Sequence, residues 1–194
     1  MAATALVVGA SLVLGLQTED DSGDGGAAAA IPSITAPSGP AAPVPSDRIV
    51  VAASSALVPD GPITYDPINT IDDNLDTAWN SDAPDADPRG ELLTFRFTEP
   101  IDLTAIRFTN GYAKSEDIYA ANHRIQQLWV RTDAGDQLVN LLDTSDEQEI
   151  AADFGFTSKV VLEIVEIYQG DGFDDPALTS DLALTEIDFV AVQR

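Results

Sequence analysis

The sequence has no cysteine, one histidine, one methionine and two tryptophans. Without cysteine there are no disulfides, thiolate metal ligands or cysteine nucleophiles, and a single histidine leaves His-rich zinc sites and most histidine relays short of parts. Lysine is nearly as scarce, with Lys114 and Lys159 the two positions. Nine basic residues stand against 33 acidic ones in 194, a formal net charge of -24. Nucleic-acid backbones and anionic lipid surfaces are bound mainly through Lys and Arg, so both are disfavoured as partners. Aspartate predominates among the acids, which suits solubility in concentrated salt and suits an acidic exported proteome equally well. No Gly-rich phosphate loop and no βαβ alternation is present, which argues against a doubly wound nucleotide-binding fold.

What is present falls into three stretches. Residues 1–16 (MAATALVVGASLVLGL) carry no charge and read as an apolar helix roughly 24 Å long at about 1.5 Å per residue. That is short of the ~20 residues a membrane crossing needs. A signal-peptide core is one reading, but such a core follows basic residues, and the first basic residue here is Arg48. The expectation is therefore a membrane anchor whose upstream part lies outside this sequence, with secretion as the alternative. Residues 17–46 begin with the acidic run TEDDSGDGG and then space Pro32, Pro37, Pro40, Pro43 and Pro45 at short intervals. Charge repulsion and fixed proline φ predict an extended, hydrated linker. Residues 47–194 are left as the folded domain, held outside the cell membrane.

Within that domain the apolar pattern has period two. Leu93, Phe95 and Phe97 share one face while Thr94 and Arg96 share the other, as a half-buried strand requires. Strands are predicted over 48–53, 92–97, 103–109, 125–131, 137–142, 148–150, 159–168 and 184–192. Glu99-Pro100 should interrupt pairing, and Asp133-Ala-Gly135-Asp136 should close a hairpin. About eight short strands predict an all-β, jelly-roll β-sandwich.

The densest local signal runs from Asn69 to Trp79 (NTIDDNLDTAW). Asp72, Asn74 and Asp76 alternate as the first half of an EF-hand loop would. That reading fails, because Thr77 stands where the turn needs Gly, Ala83 where a bidentate Glu is needed, and no helices flank the loop.

The segment resembles instead the first long loop of discoidin (coagulation factor 5/8 type C) and galactose-binding-like modules, roughly A-x-D-G-x-x-x-T-x-W, with Asp73 in place of the usual Gly. Leu184-Thr-Glu186-Ile187 matches the L-x-E-I of their last strand. The resemblance implies a structural Ca²⁺ held by Asp72, Thr77, nearby carbonyls and Glu186; the alternative is a metal-free Asx-type turn. A narrower resemblance lies in Asn110-Gly-Tyr112-Ala-Lys114 followed by Tyr119, Asn122, Arg124 and Ile125. It is similar to the N-G-Y-x-K…Y…N-x-R-I pattern of the glycan-binding, translocation-type domain named after bacterial NAD glycohydrolase toxins, which also occurs alone on membrane-tethered proteins. Nothing resembles the glycohydrolase catalytic domain.

A sugar site needs an aromatic face for pyranose C–H groups and planar polar groups for hydroxyls. Tyr112 and Tyr119 supply the first, Asn110, Lys114, Asn122, His123 and Arg124 the second, and Trp79 is a further candidate platform. Each has a structural alternative. The tyrosines can cap the core, Arg124 can pin a loop through a fork to a carboxylate or carbonyls, Asn110 can form a turn, and Trp79 and Trp129 can pack. His123 has no nucleophile motif around it. Asp82, Asp85 and Asp87 sit in a stretch (SDAPDADP) that reads as a wet loop, whereas a glycosidase acid needs an apolar setting. The expected function is a non-catalytic carbohydrate-binding module for a glycan or cell-surface polysaccharide. The alternative is a protein-interaction or structural domain of the cell envelope.

Overall fold

A computed structural model of the chain describes residues 39–83, 87–172 and 181–192. The apolar segment 1–16, most of the 17–46 linker, and Asp85 lie outside the described residues. Among the described residues eight strands form: β1 (Ala41–Pro43), β2 (Ile49–Ala53), β3 (Trp79–Asn80), β4 (Leu92–Asn110), β5 (Arg124–Thr132), β6 (Asp136–Asn140), β7 (Gln148–Tyr168) and β8 (Ala183–Val192). One short helix, α1 (Glu116–Ala121), interrupts them.

All pairings between these strands are antiparallel. β4 and β7 are long because each runs through both layers of the sandwich. The first part of β4 pairs with β2 and with the end of β7, which continues to β5 and β6. Its second part pairs with β8 and with the start of β7, and β8 carries β1 and β3. The break falls where Glu99-Pro100 was expected to interrupt pairing: the β4–β7 register shifts between Arg96 and Ile101. Proline lacks the N–H the ladder needs there.

The alternation read from the sequence places the core. Leu93, Phe95 and Phe97 are buried, as are Ile106, Phe108, Leu184 and Phe189 from the other layer. Phe189 meets Phe95 and Phe97 edge-on, with ring centroids 4.9 and 5.1 Å apart. Burial of each such ring stabilises by roughly 2–3 kcal/mol, and edge contacts add about 0.5–1.5 kcal/mol.

The folded domain begins earlier than composition indicates. Ala41, Ala42 and Pro43 pair with Val192, Ala191 and Val190, and Val44 is buried with its N–H on the Phe189 carbonyl. The last residues assigned to the linker are thus an edge strand, a position where proline is tolerated. Among the described residues no helix is long and apolar enough to cross a membrane.

Candidate functional site

One end of the sandwich gathers the loops that carry both sequence motifs. The first is the 72–79 loop. A 3₁₀ turn over Pro67–Ile71 delivers the chain to Asp72. Buried Asn69 holds this entry, its amide donating to the carbonyls of Thr64 (2.8 Å) and Ala78 (2.9 Å). Asp73 adopts φ 57°, the left-handed conformation for which the related loops use glycine. The Asp72 carboxylate accepts from the Asn74 N–H at 3.1 Å and from the Thr77 hydroxyl at 2.9 Å. This is an Asx-type turn with Asp72 and Thr77 in contact.

Glu186 of β8 faces this loop. Its Oε2 is buried, with no hydrogen-bond partner among the described residues. Burial first, then the charges of Asp72, Asp73 and Asp188, push its carboxyl up to about 8. Asp188 is pushed up by burial and by Asp73. A cleft of about 110 Å³ opens here, lined by Pro43, Val44, Asp73, Glu186 and Asp188 among others. An orphaned carboxylate oxygen near the carboxylates of Asp72, Asp73 and Asp188 fits a hard cation, since Ca²⁺ takes oxygen ligands in flexible geometry. Among the described residues no three carboxylate or imidazole groups stand at metal-ligand spacing. Any ion would therefore draw on carbonyl and hydroxyl oxygens beside Asp72 and Glu186.

The second motif is the 110–125 excursion between β4 and β5. Asn110 is fully buried: its amide donates to the Ile125 carbonyl at 2.8 Å, and its Oδ1 accepts the N–H of Gly111 and Ile125. The side chain therefore fastens the two ends of the excursion together. Tyr112 is buried against Ala78, Ala183, Tyr65 and Ile118, and its hydroxyl donates to the Asp76 carbonyl at 3.0 Å. It joins the two loops and shows no ring face to solvent. Ser115 caps α1 through the Ile118 N–H. Asn122 closes the helix, donating to the Ile118 carbonyl at 2.8 Å and accepting from Asn80 at 3.3 Å.

Arg124 is the hub. Its Nη1 donates to the carbonyls of Asn122 (2.9 Å), Gln169 (3.1 Å) and Ala120 (3.3 Å), and its Nε and Nη2 engage Asp143. Tyr119 lies under the guanidinium, 5.2 Å from ring centroid to Cζ, with its hydroxyl on Asp143 Oδ1. Burial and then Asp143 hold the Tyr119 phenol well above the ordinary range. The Arg124 guanidinium holds Asp143 below the usual carboxylate range. His123 accepts the Gly170 N–H on Nδ1 at 2.9 Å, and burial, then Arg124, lowers its pKa.

The predicted residues thus separate. Asn110, Tyr112, Asn122 and Arg124 come together as an internal framework, so the fork reading of Arg124 is the one the geometry takes. Trp79 is fully buried, with its indole N–H on the Ser55 carbonyl, and offers no platform. Lys114 is exposed within the excursion, and Tyr119, five residues on, is half-buried. Asp143 and Leu142, the latter 69% exposed, belong to this end and were not singled out by sequence; neither carries a motif. Asp87 makes an exposed ion pair with Arg89 at 2.9 Å, and that hydrogen bond lowers its pKa, opposite to what a glycosidase acid requires.

Solved structures with this fold include the family 32 carbohydrate-binding module (CBM) of Clostridium perfringens NanJ in complex with galactose. It is 15% identical, with a TM-score of 0.55 over 77% of this chain and 98% of that one. A C. perfringens module in complex with GalNAc-β-1,3-galactose is 14% identical, with a TM-score of 0.52 over 76% and 99% of the two chains. The F5/8 type C domain of a Bacteroides fragilis protein is 15% identical, with a TM-score of 0.55 over 79% and 98%. At these identities the likeness is one of fold. No curated protein matches the chain. The family model for the NAD glycohydrolase translocation F5/8 type C domain matches residues 46–190, and the chain belongs to that family.

Proposed function

We propose that the chain is a non-catalytic glycan-binding module, with the sugar seated on the outer side of the 111–123 excursion and the domain displayed outside the cell membrane. The observation that supports this reading is the locking of the loops at one end. Arg124 and its partners tie 120–124, 143 and 169 together, which leaves Lys114 to Asp117 exposed on a rigid base. Preorganised loops spare a ligand the entropy of ordering them. Lys114 can donate to sugar hydroxyls, and the half-buried Tyr119 ring can add apolar contact.

A structural Ca²⁺ belongs to this reading. Asp72, Thr77 and Glu186 would hold it, and when bound it would supply a cross-link between the 72–79 loop and β8. Tyr112 carries that rigidity onward, because its hydroxyl grips the Asp76 carbonyl of the same loop.

Galactose and GalNAc, the sugars bound by the structural relatives, are the first probes. Calorimetric titration of each in Ca²⁺ is expected to show saturable binding that Lys114→Ala weakens about tenfold, the loss of roughly 1.4 kcal/mol expected for a hydrogen bond to a charged group. A second reading, a protein-interaction domain of the envelope, is favoured by the inward turn of Tyr112, Asn122 and Arg124. Absence of binding to every sugar tried, with the fold intact, selects it.

A further inference from the structure

The open face of the five-strand layer carries an arrangement that the end loops do not explain. Among the described residues, every arginine but one has a carboxylate: Arg48 with Glu99, Arg89 with Asp87, Arg107 with Glu149, Arg124 with Asp143 and Arg131 with Glu163. Arg96 is the exception, exposed in mid-strand. Its cross-strand neighbour in the β4–β7 ladder is Lys159, one of the chain's two lysines and likewise in no ion pair among the described residues. Asp133 feels the charge of Lys159, but its Oδ2 accepts the Ser158 N–H and hydroxyl. The third residue of this row is Val50, 63% exposed.

Directly opposed like charges destabilise a sheet. In a chain with 33 acids, the absence of a carboxylate between these two cations singles the position out. Four residues further along the same face, about 14 Å at the strand rise, Leu92, Trp129 and Leu138 form another cross-strand row through Glu163. Leu92 and Leu138 are exposed, and Trp129 carries the Arg131 guanidinium 5.2 Å from its ring centroid. The face therefore offers a cationic pair at one end and, at the other, a row of Leu92, Trp129 and Leu138 whose carboxylate, Glu163, is paired with Arg131.

We propose that this face binds an anionic polysaccharide, with a carboxylate or sulfate seated between Arg96 and Lys159 and the sugar backbone laid along the face toward Trp129. The guanidinium fork and the ammonium are complementary to one such group. Beyond about 10 Å at 0.1 M salt, the repulsion from the acidic remainder is screened. This surface is separate from the 111–123 excursion, so it stands or falls independently of the glycan reading above.

Affinity electrophoresis in gels containing alginate, dextran sulfate or neutral dextran tests it. The intact chain is expected to be retarded by at least one anionic polymer and not by neutral dextran. Arg96→Ser/Lys159→Ser should abolish the retardation, while Arg107→Ser, which removes a positive charge from the other layer, should leave it unchanged. The double variant should keep or raise its melting temperature, since it removes a like-charge contact, which keeps loss of fold from imitating the result. Equal retardation of wild type and double variant, or none by either anionic polymer, overturns the proposal. Self-association at low salt that the double variant loses, without polymer retardation, puts a second copy's acidic surface on the face and overturns it too.

Discussion

The guanidinium of Arg124 and the carboxylate of Asp143 meet in two parallel hydrogen bonds, Nε to Oδ1 at 3.0 Å and Nη2 to Oδ2 at 2.9 Å. The third nitrogen of the fork is left for three backbone carbonyls. A lysine has a single point of charge and cannot reproduce that geometry. Arg124→Lys is expected to cost about 2–3 kcal/mol, a fall in melting temperature of roughly 5–10 °C for a domain of this size. A loss under about 0.5 kcal/mol, the range of an ordinary surface change, would remove Arg124 as the hub.

Gly111 shows why the excursion needs a glycine. It has φ 69°, and a Cβ there would stand 2.6 Å from Tyr119 Cε2 and 2.7 Å from Arg124 Cγ. Gly61 has φ 59° with nothing within 4 Å of a Cβ. Gly61→Ala should therefore cost only the conformational term of about 1–2 kcal/mol, and Gly111→Ala that term plus about 1–3 kcal/mol of overpacking. Chemical denaturation of both variants gives the difference; equal losses would deny the close packing of Tyr119 and Arg124 on this turn.

His123, the chain's single histidine, is held neutral by burial, then by Arg124, and accepts the Gly170 N–H. Its folded pKa lies below its unfolded one, so the unfolded state binds more protons as pH falls through 6.5. The stability it contributes is fully present above pH 6.5 and is lost below. The denaturation midpoint of the wild type, minus that of His123→Asn, should decrease between pH 7.5 and 5.5. Taking the difference cancels the opposing titration of Glu186; a flat difference would contradict the buried neutral imidazole.

Much of this was legible in the sequence, for reasons that are local. Period-two alternation fixed the face of Leu93, Phe95 and Phe97, and proline chemistry placed the break at Glu99-Pro100. Continuity across that break was not legible, because residues that pair in different layers of one strand look like two strands. β1 was hidden by alanine and proline, whose edge-strand role comes only from pairing with β8. α1 is six residues long, too short to show a helical period. Among the site residues, types and spacing were readable but orientation was not. Tyr112 and Tyr119 belong to one pattern, yet Tyr112 turns inward to Asp76, and only the tertiary path of the 72–79 loop decides that.

Glu186 supplies the metal test. Its buried Oε2 lacks a partner among the described residues, so removing a bound cation restores a desolvated carboxyl facing Asp72 and Asp73. At Ca²⁺ about a hundredfold above its dissociation constant, EDTA should withdraw about 2.7 kcal/mol. Glu186→Gln should melt at the same temperature with and without EDTA. An EDTA-insensitive wild type would leave the loop as a metal-free Asx turn.

A glycan array probed in Ca²⁺ with the wild type and Lys114→Ala most directly tests whether the end loops read sugars. The account predicts a small set of glycans retained by the wild type and lost or sharply weakened in Lys114→Ala, whose melting temperature should be unchanged. No retained glycan, or an identical set for both proteins, would contradict it.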